Sequence, residues 1–320
     1  MKALVILNAG AGKGDHDDAG KAIALAFRRA GIDFEIIKAK KKKKALKKLR
    51  ERLSDGFDLV VAGGGDGTVS GALEALHGTD IPLAIIPLGT GNIIAREFNI
   101  PVDVEGAIGV ITGPSQKKKI DAMKIGDSVY VLSAGVGINA AVVAQTSDEN
   151  KSRFGRLAYF ASIMKMVPFR TRRIEVIVDG ESHRYRAVEV AVNNCGTLAR
   201  AVYPKGPDIR ADDGCVDVWV LGMESFFDYF LYLTGLLFGR QKKARFFQAR
   251  ERVVINSVSP MTVQADGDLI GTTPVEIEVL PAALTILVPG PDMRATNDSG
   301  RPQSEEAARP REKLRPVASR

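Results

Sequence analysis

The sequence predicts an α/β lobe built on a parallel sheet, followed by an antiparallel β-sandwich. Two changes of pattern and one bulk property point there. Over the first 120 residues apolar runs alternate with helical stretches, and beyond about Lys119 the pattern becomes alternation with a period of two. The 320 residues are 45% apolar and 26% charged, enough to bury sizeable cores in about two domains. The first strand is KALVILN, followed by a helix over Ala19 to Ala30, the strand FEIIKA, and a Lys-rich helix running to Leu53. Next come DLVVAGGG, a helix over Val69 to Leu76, and the strand LAIIPLG. Strands made almost wholly of Val, Ile, Leu and Ala, each followed by glycine and a helix, are covered on both faces, as in a parallel sheet. Ligands then sit at the carboxyl ends of the strands.

The second lobe begins near residues 118 to 125. RRIEVIVDG, HRYRAVEVAVNN, CVDVWVLG, RVVINS, MTVQADG and PVEIEVLP alternate in and out between Gly, Pro and Asp turns. Two helical inserts, Phe154 to Val167 and Ser225 to Phe238, interrupt them, and there is no internal repeat. Residues 291–320 carry seven basic and five acidic side chains, four prolines and no aromatic, and read as a disordered tail. The expected division is 1–120, 121–290 and 291–320.

No run reaches the roughly 18 to 20 apolar residues of a membrane span, and the opening MKALVILNAG is too short for a secretory core, so the expected location is the cytoplasm. Cys195 and Cys215, with only three histidines, make neither a disulfide framework nor a zinc site. A net charge of +7 favours anionic partners, and eight lysines fall between Lys38 and Lys48. The run Lys40 to Lys44 reads either as an attachment to an anionic membrane surface or as a solvated helix face. No recognition helix, zinc spacing or aromatic RNA-binding signature accompanies it, so nucleic acid is not an expected partner.

Three glycine-rich turns follow strands: NAGAGKG (Asn8 to Gly14), GGGDGT (Gly63 to Thr68) and PLGTGN (Pro87 to Asn92). Such turns bring backbone amides close to a polyanion, and the following helix adds its positive end. No Gly-Lys-Ser/Thr follows the first strand, which excludes a P-loop. Asp66 is an acid in a phosphate-binding turn, which is costly unless a cation such as Mg²⁺ is shared with the phosphates. The plainer alternative is that Asp66 caps the helix beginning at Val69.

GGDGT at 64 to 68, PLGTGN at 87 to 92, the opening NAGAG and the late DGD at 266 to 268 together resemble the diacylglycerol kinase catalytic domain family, which includes sphingosine and ceramide kinases and bacterial lipid kinases. The resemblance covers roughly residues 1 to 290 and extends to KKKIDAMKIG, LSAGVGINA and VYPKGPDIRADDGCVDV. It implies a Rossmann-like amino-terminal domain that binds ATP, a lipid-binding β-sandwich, and an active site in the cleft between them. By the same resemblance the nucleotide is held by Asn8, Ala9, Gly10, Ala11 and Gly12, by Gly64, Gly65, Asp66, Gly67, Thr68, Val69 and Ser70, and by Gly89, Thr90 and Asn92. Asp66 and Asp121 join a Mg²⁺ network, and Asp213 falls where some members hold a structural Mg²⁺. Asp266, with Asp268 beside it, serves the acceptor hydroxyl as general base.

This chain departs from the family pattern at several positions. It has Ala9 where Pro is usual, Ser70-Gly71 where Asn-Glu is usual, Ile93 where Asp is frequent, and Asp268 where Glu is commoner. A Thr that many members place after the second strand is replaced within IIKAKK, leaving one ATP contact missing or supplied by lysine. The expected acceptor is a lipid hydroxyl on a diacylglycerol or sphingoid-like molecule, reached from the membrane periphery. Eight of the chain's 20 aromatics lie between Phe226 and Phe247, suited either to an acyl pocket or to an ordinary buried helix. The alternatives are a soluble NAD-kinase-like or sugar kinase, and a catalytically silent lipid- or nucleotide-binding regulator. The sequence is silent on oligomeric state.

Overall fold

The computed structural model describes residues 1–8, 16–39, 42–138, 140, 171–202, 207–222 and 244–291. Four parallel strands, β1 (Lys2–Asn8), β2 (Asp33–Ala39), β3 (Leu59–Gly64) and β4 (Leu83–Pro87), lie in the order β4-β3-β1-β2. β3 and β4 are buried throughout, as continuous apolar runs require, whereas β2 is the half-exposed edge. Helices α1 (His16–Arg29) and α5 (Val104–Thr112) pack together, as do α2 (Lys42–Arg52) and α3 (Asp66–Leu76). In α2 the buried residues are Ala45, Leu46 and Leu49, the i, i+1, i+4 stripe of a helix resting on one face, and the lysines at 43, 44, 47 and 48 point outward.

Helix α3 starts three residues before the predicted Val69, because extended Gly65 (φ −86°, ψ −179°) serves as its N-cap and the glycine-rich turn is already helical at Asp66. A five-residue helix, α4 (Ile93–Glu97), follows PLGTGN.

The antiparallel lobe comprises β5 (Ser115–Ile125), β6 (Ser128–Tyr130), β7 (Ser133–Gly137), β8 (Arg172–Val178), β9 (Glu181–Asn193), the helix α6 (Gly196–Val202), β10 (Val216–Gly222), β11 (Ala244–Ala249), β12 (Arg252–Ser257), β13 (Thr262–Ala265), β14 (Asp268–Thr272) and β15 (Val275–Pro289). Its strands enclose a second core that includes Val136, Val176, Val190, Val218, Ile255 and Ile277. The predicted inserts, Phe154 to Val167 and Ser225 to Phe238, and residues 292–320 of the tail lie outside the described residues.

The two lobes are stitched by the longest strand. From Val275 to Glu278 β15 pairs with β12, and from Glu278 to Leu280 with the second half of β5. After a kink at Ala282 (φ 50°) it runs on against the first half of β5, and Ile286 meets Leu83 of β4. Leu284, Ile286 and Val288 therefore pack in the first core although they lie at the far end of the second lobe's sequence. Asp121 pins the kink: its Oδ1 accepts from the Ala282 amide (2.8 Å) and its Oδ2 from the Gly214 amide (2.7 Å).

Candidate active-site cleft

The described glycine turns of the first lobe lie at the carboxyl ends of β3 and β4. Asn8 ends β1 and donates from Nδ2 to Thr68 Oγ1 (3.0 Å), a buried tie between the first strand and α3. Gly65 and Gly89 meet backbone to backbone, and a Cβ at Gly89 would lie 2.5 Å from the Gly65 Cα. Asn92 (φ 48°) closes the PLGTGN turn, its Oδ1 accepting from the Gly89 amide and its Nδ2 donating to the Gly89 carbonyl, each at 3.0 Å. Thr90 is exposed at the tip of that turn. Val69 points into the first core. Ala9, Gly10, Ala11 and Gly12 lie outside the described residues.

Asp66 does cap a helix, but not the one expected. Its Oδ1 accepts from the amides of Ile93 (2.6 Å) and Ile94 (3.2 Å), the first turn of α4. Burial raises its carboxyl pKa, against the lowering effect of the Ile94 and Ile93 amides. Gly91, bare of a side chain, passes beside the other oxygen, where a Cβ would stand 2.9 Å from Oδ2. Among the described residues no cation pairs with Asp66.

The second lobe brings its acids to the same place. Asp266 and Gly267 form the tip of the β13–β14 hairpin, both at positive φ (47° and 85°), the geometry an Asp-Gly hairpin turn adopts. Asp266 Oδ1 accepts from the amides of Leu132 (2.9 Å) and Ser133 (3.1 Å), and Oδ2 from that of Val131 (3.0 Å). Its pKa is raised: burial pushes it up by more than these three amides and the Ser70 hydroxyl pull it down. Asp268 is exposed, and its Oδ2 lies 3.1 Å from Lys42 Nζ across the lobes.

Between these groups lies a cleft of about 790 Å³ whose walls carry Lys42, Gly67, Ser70 and Gly71 from one lobe and Tyr130, Asp266 and Asp268 from the other. Ser70 Oγ is buried there without a hydrogen-bond partner. Burial also raises the Tyr130 phenol, with the charges of Glu74, Asp266 and Asp268 acting in the same direction and Ser128 opposing. At Gly71 a Cβ would come within 2.3 Å of Leu46 Cδ1, so a side chain there requires Leu46 to shift. Arg50 and Glu74, paired at 3.0 Å, line the same wall one turn further on.

The structure thus brings together Gly67, Ser70, Asp266 and Asp268, with Asp66 at the adjoining turn. Asp121 and Asp213, the latter expected at a separate structural Mg²⁺, do not line this cleft. Asp121 holds the kink of β15, and Asp213 Oδ1 accepts from the Cys215 amide (3.2 Å). Among the described residues no group of three or more His, Cys, Asp or Glu is placed to hold a metal ion. Neither can two of the clustered aromatics line this cleft: Phe246 packs on Trp219 (6.3 Å between ring centres) and Phe247 on His183 (4.6 Å) within the sandwich. The sequence reading missed Lys42, Tyr130, Arg50 and Glu74. Only Lys42 had a visible sign, its place in a run of identical lysines, and that sign suggested a surface.

The sequence model of the diacylglycerol kinase catalytic domain matches residues 2–125, and that of the YegS C-terminal NAD kinase beta sandwich-like domain matches residues 131–288. The chain belongs to the diacylglycerol kinase and YegS-like lipid kinase family. A diacylglycerol kinase of Mycobacterium tuberculosis is 27% identical, the match covering 90% of this chain and 95% of that one. An uncharacterised protein of Synechocystis sp. is 30% identical over 83% of this chain, which spans only 63% of that protein's length. The crystal structure of a diacylglycerol kinase from Bacillus anthracis superposes with a TM-score of 0.73 at 26% identity, covering 91% of this chain and 98% of that one. The two-lobe fold, a parallel α/β lobe followed by an antiparallel sandwich, is as the sequence predicted.

Proposed function

We propose that the protein is an ATP-dependent lipid kinase that transfers the γ-phosphate to a lipid hydroxyl in the cleft between its lobes. The observation that carries this reading is the meeting of Gly67 and Ser70, on the helix behind GGDGT, with Asp266 of the second lobe's hairpin across one cavity. Phosphoryl transfer asks a protein mainly to hold phosphates and to orient a nucleophile. The α3 N-terminus, which no side chain caps, offers amides and a positive helix end to the phosphates.

Asp266 is the base in this reading. Three amides fix its carboxylate, and Oδ2, which among the described residues accepts a regular hydrogen bond from the Val131 amide alone, keeps one lone pair for the acceptor hydroxyl. The hydroxyl proton passes to Asp266 as its oxygen bonds to the γ-phosphorus and the bond to the β-phosphate oxygen breaks. Such assistance is worth about 10²- to 10⁴-fold in rate. Burial keeps this carboxyl more basic than a surface aspartate, which suits the task.

Asp66 fits as a magnesium ligand: it is part-buried and makes no ion pair among the described residues. Asp121 gives its carboxylate to the Ala282 and Gly214 amides and does not line this cleft. A magnesium bound mainly through nucleotide phosphates needs only one or two carboxylates, and it supplies charge neutralisation of the phosphates. Among the described residues no helix is long and apolar enough to cross a membrane, so the lipid would be met at the membrane surface.

The test is transfer of labelled γ-phosphate from magnesium-ATP to mixed micelles holding diacylglycerol, sphingosine, ceramide or phosphatidylglycerol. One labelled lipid, lost in both Asp66→Ala and Asp266→Ala with the fold intact, is the expected result. Labelling of NAD or a sugar phosphate without lipid would replace the acceptor class, and ATP binding with no transfer to any acceptor would leave a regulator.

A further inference from the structure

Lys42 differs from the described lysines that follow it on α2. It begins α2, and its side chain lies along the wall of the cleft, 37% exposed. Two contacts define its place. Nζ is 3.1 Å from Asp268 Oδ2, a bond between residues 226 apart that links the two lobes. It also lies over the glycine turn: a Cβ on Gly67 would be 3.5 Å from Nζ and 3.7 Å from Cδ, so Gly67 leaves the lysine an open approach to the first turn of α3. Below, the Ser70 hydroxyl is buried in the same cavity and makes no hydrogen bond of regular geometry. A cation, the uncapped end of an 11-residue helix and a buried hydroxyl converging on one space together suit a polyanion.

The neighbouring cations are disposed differently. Arg50 is already committed to Glu74 within its own lobe, and Lys43 is exposed at the rim. The partner of Lys42 is the exposed Asp268 (68%), and solvent-facing pairs of this kind are weak and easily exchanged.

We propose that Lys42 is a phosphate-binding residue of this cleft that exchanges Asp268 for the polyphosphate of the donor nucleotide. This rests on the reading of the cleft as a nucleoside triphosphate site. It assigns the contact left open by the missing threonine after the second strand to a lysine three residues beyond Ala39. Binding of the polyphosphate then breaks the interlobe pair and releases Asp268 beside Asp266, so the donor itself uncovers the acceptor side of the cleft.

The experiment is binding rather than turnover. Inorganic tripolyphosphate, magnesium-ATP and adenosine are titrated calorimetrically into the full chain and into Lys42→Met, Lys42→Arg and Asp268→Asn, with thermal melts to confirm folding. The expected result is that Lys42→Met weakens tripolyphosphate and magnesium-ATP about tenfold or more and leaves adenosine unchanged, while Lys42→Arg keeps most of the affinity. Asp268→Asn should tighten tripolyphosphate, and by more when Lys42 is present than in the Lys42→Met background. Part of that gain is mere relief of repulsion, and the double variant separates it from the exchange. Unchanged polyphosphate affinity in Lys42→Met, or an equal gain from Asp268→Asn in both backgrounds, overturns the proposal while leaving the kinase reading in place. Failure of the wild-type chain to bind either polyphosphate overturns both.

Discussion

Two hairpins of the second lobe have nearly the same tip. Asp179-Gly180 and Asp266-Gly267 each place an aspartate at φ 47° before a glycine at positive φ, and each carboxylate accepts from three consecutive backbone amides. Asp179 takes those of Arg250, Glu251 and Arg252 at 2.8 to 3.0 Å, and Asp266 those of Val131, Leu132 and Ser133 at 2.9 to 3.1 Å. Yet their acidities move in opposite directions. At the exposed Asp179 desolvation is the largest single effect, but the three amides and the Arg250 charge together outweigh it, and the pKa falls. At Asp266 desolvation wins and the pKa rises. Turn chemistry therefore builds the grip, and the cleft decides what the gripped carboxylate can do.

The widest separation between the two should appear in turnover. Asp266→Asn keeps the size of the side chain but removes the base, and lipid phosphorylation should fall by about 10²- to 10⁴-fold. Asp179→Asn should leave kcat within about twofold and lower stability instead, by about 1 to 2 kcal/mol for a strained amide grip, read from urea unfolding. Comparable losses of kcat in both variants would mean that Asp266 matters only as a turn.

A second contrast lies in pH. Asp179 has its folded pKa below the ordinary 3.8, so its stabilising contribution is present above 3.8 and is lost as pH falls through the folded value. Asp266 has its folded pKa above 3.8, so its contribution is complete below 3.8 and is lost as pH rises through the folded value. Unfolding free energies of the wild type and of each Asn variant, measured over about pH 3 to 7, should therefore diverge with opposite slopes. The acid limb of kcat/KM should follow Asp266, with a midpoint above the ordinary carboxylate value. Asp268, Glu74, Tyr130 and Lys42 face the same cleft, so the limb reports an apparent constant for the group.

The two Asp-Gly tips look alike in sequence, and this marks how far the chain could be read. Local periodicity fixes strands and helices, and both lobes were legible because alternation and continuous apolar runs are local signals. What lay beyond reach was long-range. Nothing near Leu284, Ile286 and Val288 says that they return to the first core, since the crossing depends on a kink held by Asp121, about 160 residues away. Helix α4 escaped notice because its cap is Asp66, 27 residues upstream, rather than a neighbouring side chain. Its last residue, Glu97, accepts from the amides of Gly196 (3.1 Å) and Thr197 (2.6 Å) at the start of α6, and so joins the lobes a second time. Glycine motifs announced the phosphate turn, but a lysine run carries no mark of which lysine turns inward.

The smallest effect is also the sharpest, because it concerns the one side chain that Asp266 has and Asp179 lacks. Ser70 stands in the first lobe and pulls the Asp266 pKa down, although its hydroxyl makes no hydrogen bond of regular geometry. Replacing Ser70 with Ala removes that pull and leaves desolvation in place, so the acid limb of kcat/KM should move to higher pH, with little change on the plateau where Asp266 is ionised. Its equivalent in the Asp179 hairpin is Ser182→Ala, whose hydroxyl donates to Glu175 (2.9 Å) rather than to the aspartate, and the limb should stay where it is. A Ser70→Ala limb that does not move would assign the acid limb to another group of the cleft. A plateau that collapses would show that Ser70 itself holds the substrate rather than tuning the base.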